Sequence, residues 1–156
     1  MQKSEAFPID KIRADFPALA QEIAGNPYIY FDNAATTLKP KSVIEAVNDY
    51  NAKTTANIHR GIHYYSELMT VEYEKTREDV RAFINAKHSH EIIYTSGTTH
   101  AINLVAYSYV HNFLQAGDEL ILSELEHHSN IVPWQLVCER KGIDIKVIPL
   151  LKNGDL

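Results

Sequence analysis

The sequence predicts an α/β fold, with a β-α-β-α-β parallel-sheet core over residues 91–149 behind an N-terminal helical arm. Three observations predict it. From residue 91 onward, short apolar runs alternate with longer segments of helical period. Ser96-Gly97, Gly117-Asp118 and Gly142 punctuate the changes of period. The chain has 156 residues, 45% hydrophobic and 22% charged, which suits one domain with a real core. Such alternation implies parallel strands with right-handed crossovers, and ligands collect at the carboxyl ends of those strands.

Residues 1–27 read as an arm with a short helix; they hold Pro8, Pro17 and Pro27. Residues 28–156 carry the α/β elements that follow the arm. Tyr28-Ile29-Tyr30-Phe31 is a β-prone run ending at the turn pair Asp32-Asn33. Pro40 opens a helix to about Lys53, with Val43, Ile44, Val47 and Tyr50 on one face. A loop around His59-Arg60-Gly61 follows. Ser66 is the expected N-cap of a helix to about Ala86. Leu68, Val71, Val80, Phe83 and Ile84 form its expected buried stripe, and Glu74, Lys75, Glu78 and Asp79 its solvated face. The core elements are then a strand at Glu91–Thr95, a helix to about Leu114, a strand at Glu119–Leu122, a helix over about Asn130–Arg140 stopped by Gly142, and an alternating strand from Ile143 to Pro149.

A net charge of −5 and the absence of a basic block argue against nucleic-acid or anionic-membrane partners. No run of 18 apolar residues exists, and MQKSEAFPIDKIRADF lacks the apolar centre of a secretory leader. Cys138 is the only cysteine, which fits the reducing cytoplasm. It lies in an amphipathic segment and reads as a small buried hydrophobe. The chain ends in LLKNGDL, just past the turn signal Asn153-Gly154-Asp155, an odd place for a finished domain to stop.

The sharpest motif is Tyr94-Thr95-Ser96-Gly97-Thr98-Thr99-His100, between a strand and a helix. Gly97 permits a tight bend, the first-turn amides of Thr98 and Thr99 lack helical partners, and two hydroxyls stand beside them. Together they suit an anion. The same string also allows Thr98 or Thr99 to be an ordinary N-cap. The Gly-Lys-Thr element of a Walker loop is missing. His127 and His128 lie just past the second strand, on the ligand side. A neutral imidazole there suits stacking on a flat ring, or a bond to a loop carbonyl. His59 and His63 have metal-like spacing, but Gly61 interrupts them and no further ligand is near, so no metal is expected. His88 and His90 read as solvated.

Four strings in order resemble the SufS/CsdA-type cysteine desulfurases, class-V aminotransferase relatives among the fold-type I pyridoxal-phosphate enzymes. They are Tyr30-Phe31-Asp32-Asn33-Ala34-Ala35, His59-Arg60-Gly61-Ile62-His63, Ser96-Gly97-Thr98-Thr99 with Ile102-Asn103-Leu104-Val105-Ala106, and Glu126-His127-His128-Ser129-Asn130-Ile131-Val132-Pro133-Trp134. The resemblance runs from about Ile12 to the end. It implies a partial large domain of that fold. Gly97, Thr98 and Thr99 would hold the phosphate of pyridoxal 5'-phosphate, and His127 would stack on the ring and assist proton transfer. Ala34 and Ala35 would wall the substrate carboxylate, and His59 and Arg60 would line the active site, their own or a partner subunit's. The family commonly has Glu where this chain has His100, so a dimer contact through that Glu is not carried over.

The implied reaction takes sulfur from L-cysteine, leaving L-alanine and an enzyme persulfide. It implies a homodimer at full length, a sulfur-acceptor protein and supply to iron–sulfur clusters. Related class-V chemistries, selenocysteine lyase or kynureninase-like, share the same motifs. A non-catalytic remnant binding a partner chain is the alternative outside enzymes. Three groups of the family's chemistry have no counterpart here. No lysine follows a histidine, no Asp-x-Ala-Gln string occurs, and Cys138 is not at the nucleophile's position. The expectation is a chain that on its own neither holds the cofactor covalently nor turns over cysteine.

Overall fold

In the computed structural model, which describes residues 7–156, the chain divides into a unit ending at Ser89 and a unit running from His90 to Leu156. The first six residues of the expected arm lie outside the described residues.

The first unit opens with α1 (Ile9–Ala14), followed by a tiny antiparallel hairpin of β1 (Glu22–Ile23) and β2 (Asn26–Pro27). Its two turn residues, Ala24 and Gly25, both have positive φ (52° and 76°), the type I′ signature that matches strand twist. The expected strand at Tyr28–Phe31 does not form. The hairpin comes earlier, and Tyr30 instead turns its hydroxyl to the carbonyls of Asp32 and Thr36, closing the bend at 32–36. The Lys41 amide donates to the Asp15 carbonyl at 2.8 Å, tying the arm to the start of α2 (Lys41–Asp49), which continues as a π-helical turn to Thr54.

Helix α3 spans Tyr64–Phe83, with His63, not Ser66, at its N-cap. Ser66 is instead 1% exposed, and its Oγ donates to the Asn57 carbonyl at 2.6 Å. A hydroxyl spent on a distant carbonyl is not available to cap its own helix. The expected buried stripe also fails: Phe83 is 90% exposed, and Val71 and Ile84 are exposed too, while Leu68 and Val80 are half-buried. The face of α3 that packs locally carries Ser66, Thr70 and Tyr73, which meet Asn57 and His59 of the preceding loop. A Cβ built on Gly61 would overlap Oγ and Cβ of the buried Ser66. Gly61→Ala is therefore expected to destabilise the first unit by about 1–3 kcal/mol, the usual effect of overpacking, in urea denaturation followed by circular dichroism.

The second unit holds the expected parallel pairing. β3 (Glu119–Ser123) lies beside β4 (Asp144–Ile148), in register from Glu119↔Asp144 to Ser123↔Ile148. Helix α6 (Val132–Lys141) connects them, and Gly142 ends it in the left-handed conformation at φ 68°. Helix α4 (Thr98–Val105) runs on through a π-helical turn, Ala106–Val110, into α5 (His111–Phe113). Ala106 and Val110 meet Val137, Cys138 and Ile143 in the core, with Leu114, Leu120, Trp134 and Ile145 packed around them. Cys138 is 1% exposed, and burial pushes its thiol above the usual range, so it is a core hydrophobe rather than a thiolate. The first expected core strand, Glu91–Thr95, departs from prediction: Glu91 closes a 3₁₀ turn with Ser89 and His90, and residues 92–95 lie outside both ladders. A strand exists by virtue of a paired neighbour, and apolar alternation cannot supply one. Ile121, Val147 and Ile148 remain exposed on the two-stranded sheet.

Candidate functional site

The loop before α4 is shaped by Gly97, whose φ of 154° and ψ of 175° fall in a region essentially closed to residues with a Cβ. A Cβ built there meets nothing within 4 Å, so the space in front of the bend is open. The first helical bond runs from the Ala101 amide to the Gly97 carbonyl at 3.0 Å. The amides of Thr98, Thr99 and His100 precede that ladder, and none meets an acceptor among the described residues. Gly97 occupies the N-cap position and no side chain caps the helix, so the threonines are first-turn residues and not caps. His100 folds back over the loop. Its Nδ1 accepts from the Ser96 amide at 3.4 Å and lies 3.2 Å from Ser96 Oγ. Thr95 Oγ1 donates to the Gly97 carbonyl at 3.1 Å. Open amides, exposed hydroxyls and the positive end of a helix form a donor set that fits a phosphate dianion.

His127 lies beyond the end of β3. Helix α4 packs against the 3₁₀ turn His128–Asn130, so the Gly97 loop and the His127 turn belong to one corner of this unit. His127 Nδ1 accepts from the Ser129 amide at 3.1 Å and contacts Ser129 Oγ at 2.9 Å. A backbone N–H can only donate, so the neutral ring carries its proton on Nε2. The ring is exposed, with the His128 ring edge-on at 6.0 Å. The imidazole thus binds an amide, not the loop carbonyl that the sequence also allowed.

A buttress that sequence reasoning missed supports this turn. Ser123 Oγ donates to Glu126 Oε1 at 3.0 Å, Asn130 Nδ2 to Glu126 Oε2 at 2.7 Å, and Trp134 Nε1 to Asn130 Oδ1 at 2.9 Å. The Asn130 amide also donates to the His127 carbonyl at 2.7 Å. The spacing of four from Glu126 to Asn130 to Trp134 was the available signal. Asn130 first, and Ser123 second, hold the Glu126 carboxyl below its usual range against an opposing desolvation. A depressed carboxyl contributes stability above its unfolded value and loses it as pH falls through the folded one. The stability gap between the parent and Glu126→Gln is therefore expected to be full above about pH 4.3 and to close below it. Trp134 fluorescence in urea, read at several pH values, checks this; a gap that persists in acid would refute it.

The remaining candidates belong to the first unit. Ala34 and Ala35 are exposed in the bend where the amides of Ala35 and Thr36 donate to the Asp32 carbonyl at 3.2 and 3.1 Å. Burial, then Asp32 and Tyr28, push the Tyr30 hydroxyl beside this bend above its usual range. His59 takes φ 66°, unusual for a residue with a Cβ. Its amide donates to Thr70 Oγ1 at 2.9 Å, and its Nε2 lies 3.4 Å from Glu74 Oε1. Glu74, expected as plain solvated charge, thus touches a candidate residue. The Arg60 guanidinium is exposed and meets no partner among the described residues. No cluster of three metal-ligating side chains occurs among the described residues.

The family model described as Aminotransferase class-V matches residues 29–156. A cysteine desulfurase of Pectobacterium carotovorum subsp. carotovorum (strain PC1) is 50% identical over 151 residues, 97% of this chain and 37% of that protein. The apo structure of a cysteine desulfurase from Thermococcus onnurineus NA1 matches with a TM-score of 0.78 and 40% identity, over 94% of this chain and 34% of that one. A C-DES mutant with glycine covalently linked to its PLP cofactor has the same fold, with a TM-score of 0.64 and 20% identity over 88% of this chain and 33% of that one. The chain therefore spans little more than a third of the relatives it matches.

Proposed function

The chain belongs to the class-V aminotransferase family, and from that premise we propose that it is the cofactor-phosphate and ring-contacting part of a pyridoxal-phosphate-dependent cysteine desulfurase. The observation that carries the reading is the Gly97 bend. It leaves the first-turn amides without partners and no protein atom beside its own Cα, on a helix that packs against the turn following His127. Thr98 and Thr99 bind the phosphate through backbone and hydroxyl, and Gly97 keeps a Cβ out of its way. His127 offers a ring face, with Nε2–H free to hold or pass a proton while Nδ1 stays on Ser129. On the resemblance alone, the first unit's Ala34 and Ala35 are assigned to the substrate carboxylate and its His59 and Arg60 to the substrate. Bound there, the cofactor supplies an electron sink at the substrate carbon.

The relatives named cysteine desulfurase support L-cysteine as substrate, with L-alanine and a persulfide as products. The resemblance extends the proposal to a cytoplasmic homodimer that passes sulfur to an acceptor protein for iron–sulfur cluster assembly. The division into an arm at 1–27 and a large-domain segment at 28–156 belongs to the same proposal.

The test is a titration of the isotopically labelled chain with pyridoxal 5'-phosphate, with pyridoxal as the control. The expected result is phosphate-dependent shifts at the Thr98 and Thr99 amides and at the His127 ring. Shifts confined to other residues, or equal shifts with pyridoxal, would sink the phosphate assignment. Alanine release from cysteine by the full-length gene product tests the reaction itself.

A further inference from the structure

Three polar residues of α3, Ser66, Thr70 and Glu74, recur every fourth position and so rise along one side of the helix. Each meets a different part of the 57–61 loop. Ser66 Oγ donates to the Asn57 carbonyl at 2.6 Å, and Gly61 packs so closely on Ser66 that no Cβ fits. One turn later, Thr70 Oγ1 accepts the His59 amide at 2.9 Å while donating to the Ser66 carbonyl at 2.7 Å. One turn further, Glu74 Oε1 stands 3.4 Å from His59 Nε2, and Glu74 Oε2 accepts from Arg77 Nε at 3.0 Å. The Tyr73 ring meets the His59 ring edge-on at 5.6 Å, with the Arg77 guanidinium over Tyr73 at 5.3 Å.

We propose that Ser66, Thr70 and Glu74 are positioning residues: a polar ridge on α3 that moulds the loop, holds His59 left-handed and so presents the unpartnered Arg60 guanidinium to a carboxylate. The argument is one of over-determination. A left-handed histidine persists only where its surroundings enforce it, and here the amide, the imidazole and the following glycine are each held by a separate step of the ridge. The guanidinium of the next residue, Arg60, meets no partner among the described residues. Thr70 is central because it contacts the loop backbone itself, and backbone sets where the following side chain points.

The inference rests on the proposed role of His59 and Arg60, and its test is read at residues the cofactor titration does not use. Hydrogen exchange of the His59 amide and the Arg60 Nε–H resonance, titrated with acetate, are followed in the parent, Thr70→Val and Thr70→Ser. Thr70→Val keeps the shape and removes the hydroxyl. It is expected to speed His59 exchange at least about tenfold, the loss of one hydrogen bond's protection. It should also weaken the Arg60 response to acetate several-fold, and Thr70→Ser should restore both. Unchanged His59 exchange in Thr70→Val overturns the ridge, and an unchanged Arg60 response overturns the presentation of the guanidinium. Should Thr70→Val fail to fold, Glu74→Ala, which leaves the His59 amide bond in place, is read at Arg60, where an unchanged response to acetate overturns the presentation. Silence at Thr98, Thr99 and His127 toward pyridoxal 5'-phosphate would instead count against the cofactor assignment alone.

Discussion

Gly97→Val is expected to lower the affinity of the chain for pyridoxal 5'-phosphate by about ten- to a hundredfold, because a β-branched residue at φ 154° and ψ 175° carries roughly 1–3 kcal/mol of backbone strain. Two effects act together. The loop must relax toward an allowed conformation, which turns the Thr98 and Thr99 amides away from a shared focus. The added side chain also enters the space that is open in the parent, where no protein atom lies within 4 Å of a built Cβ. Since that space is empty of protein, the fold itself should change little, and a melting curve close to the parent's separates loss of binding from loss of structure. Inorganic phosphate should show the same trend with weaker absolute affinity. Equal affinity for parent and variant would mean that the bend does not form the anion site.

Lys141→Met is expected to destabilise the second unit by about 3 kcal/mol. Lys141 Nζ donates to three carbonyls at once: Val110 at 2.9 Å, His111 at 2.6 Å and Leu114 at 2.9 Å. These lie where the helix from Thr98 to Phe113 ends, so the ammonium serves as its C-terminal cap and opposes the negative end of its dipole. A bond from a charged donor contributes about 1.5–3 kcal/mol, and three that share one ammonium do not add in full. For a unit of this size the change corresponds to a drop of about 12–24 °C in melting temperature. Trp134, the only tryptophan, packs against this unit's core and reports its unfolding directly. Lys141→Arg should recover only part of the loss, because a planar fork cannot aim three donors at carbonyls converging on one point. A shift below about 1 kcal/mol in Lys141→Met would show that water replaces the ammonium at little cost.

Sequence by itself determined what is local. Period and punctuation set α2, the long helix from Thr98, the pair β3 and β4, and the stop of α6 at Gly142, because these follow from residue spacing and from the residue type that takes φ 68° at least cost. The phosphate-like loop was legible for the same reason: the glycine, two threonines and a helix start are contiguous. Only the tertiary structure decided what depends on partners far along the chain. Glu91–Thr95 has the pattern of a strand but no place in either ladder. Ser66 and Glu74 look like a cap and a solvated charge until loop residues 9 and 15 positions earlier meet them. The tautomer of His127, the carboxylate buttress at Glu126 and the reach of Lys141 across 31 positions are likewise invisible to periodicity. The physical reason is that hydrogen bonds are short and directional. A sequence states which donors and acceptors exist, and folding alone brings particular ones within about 3 Å.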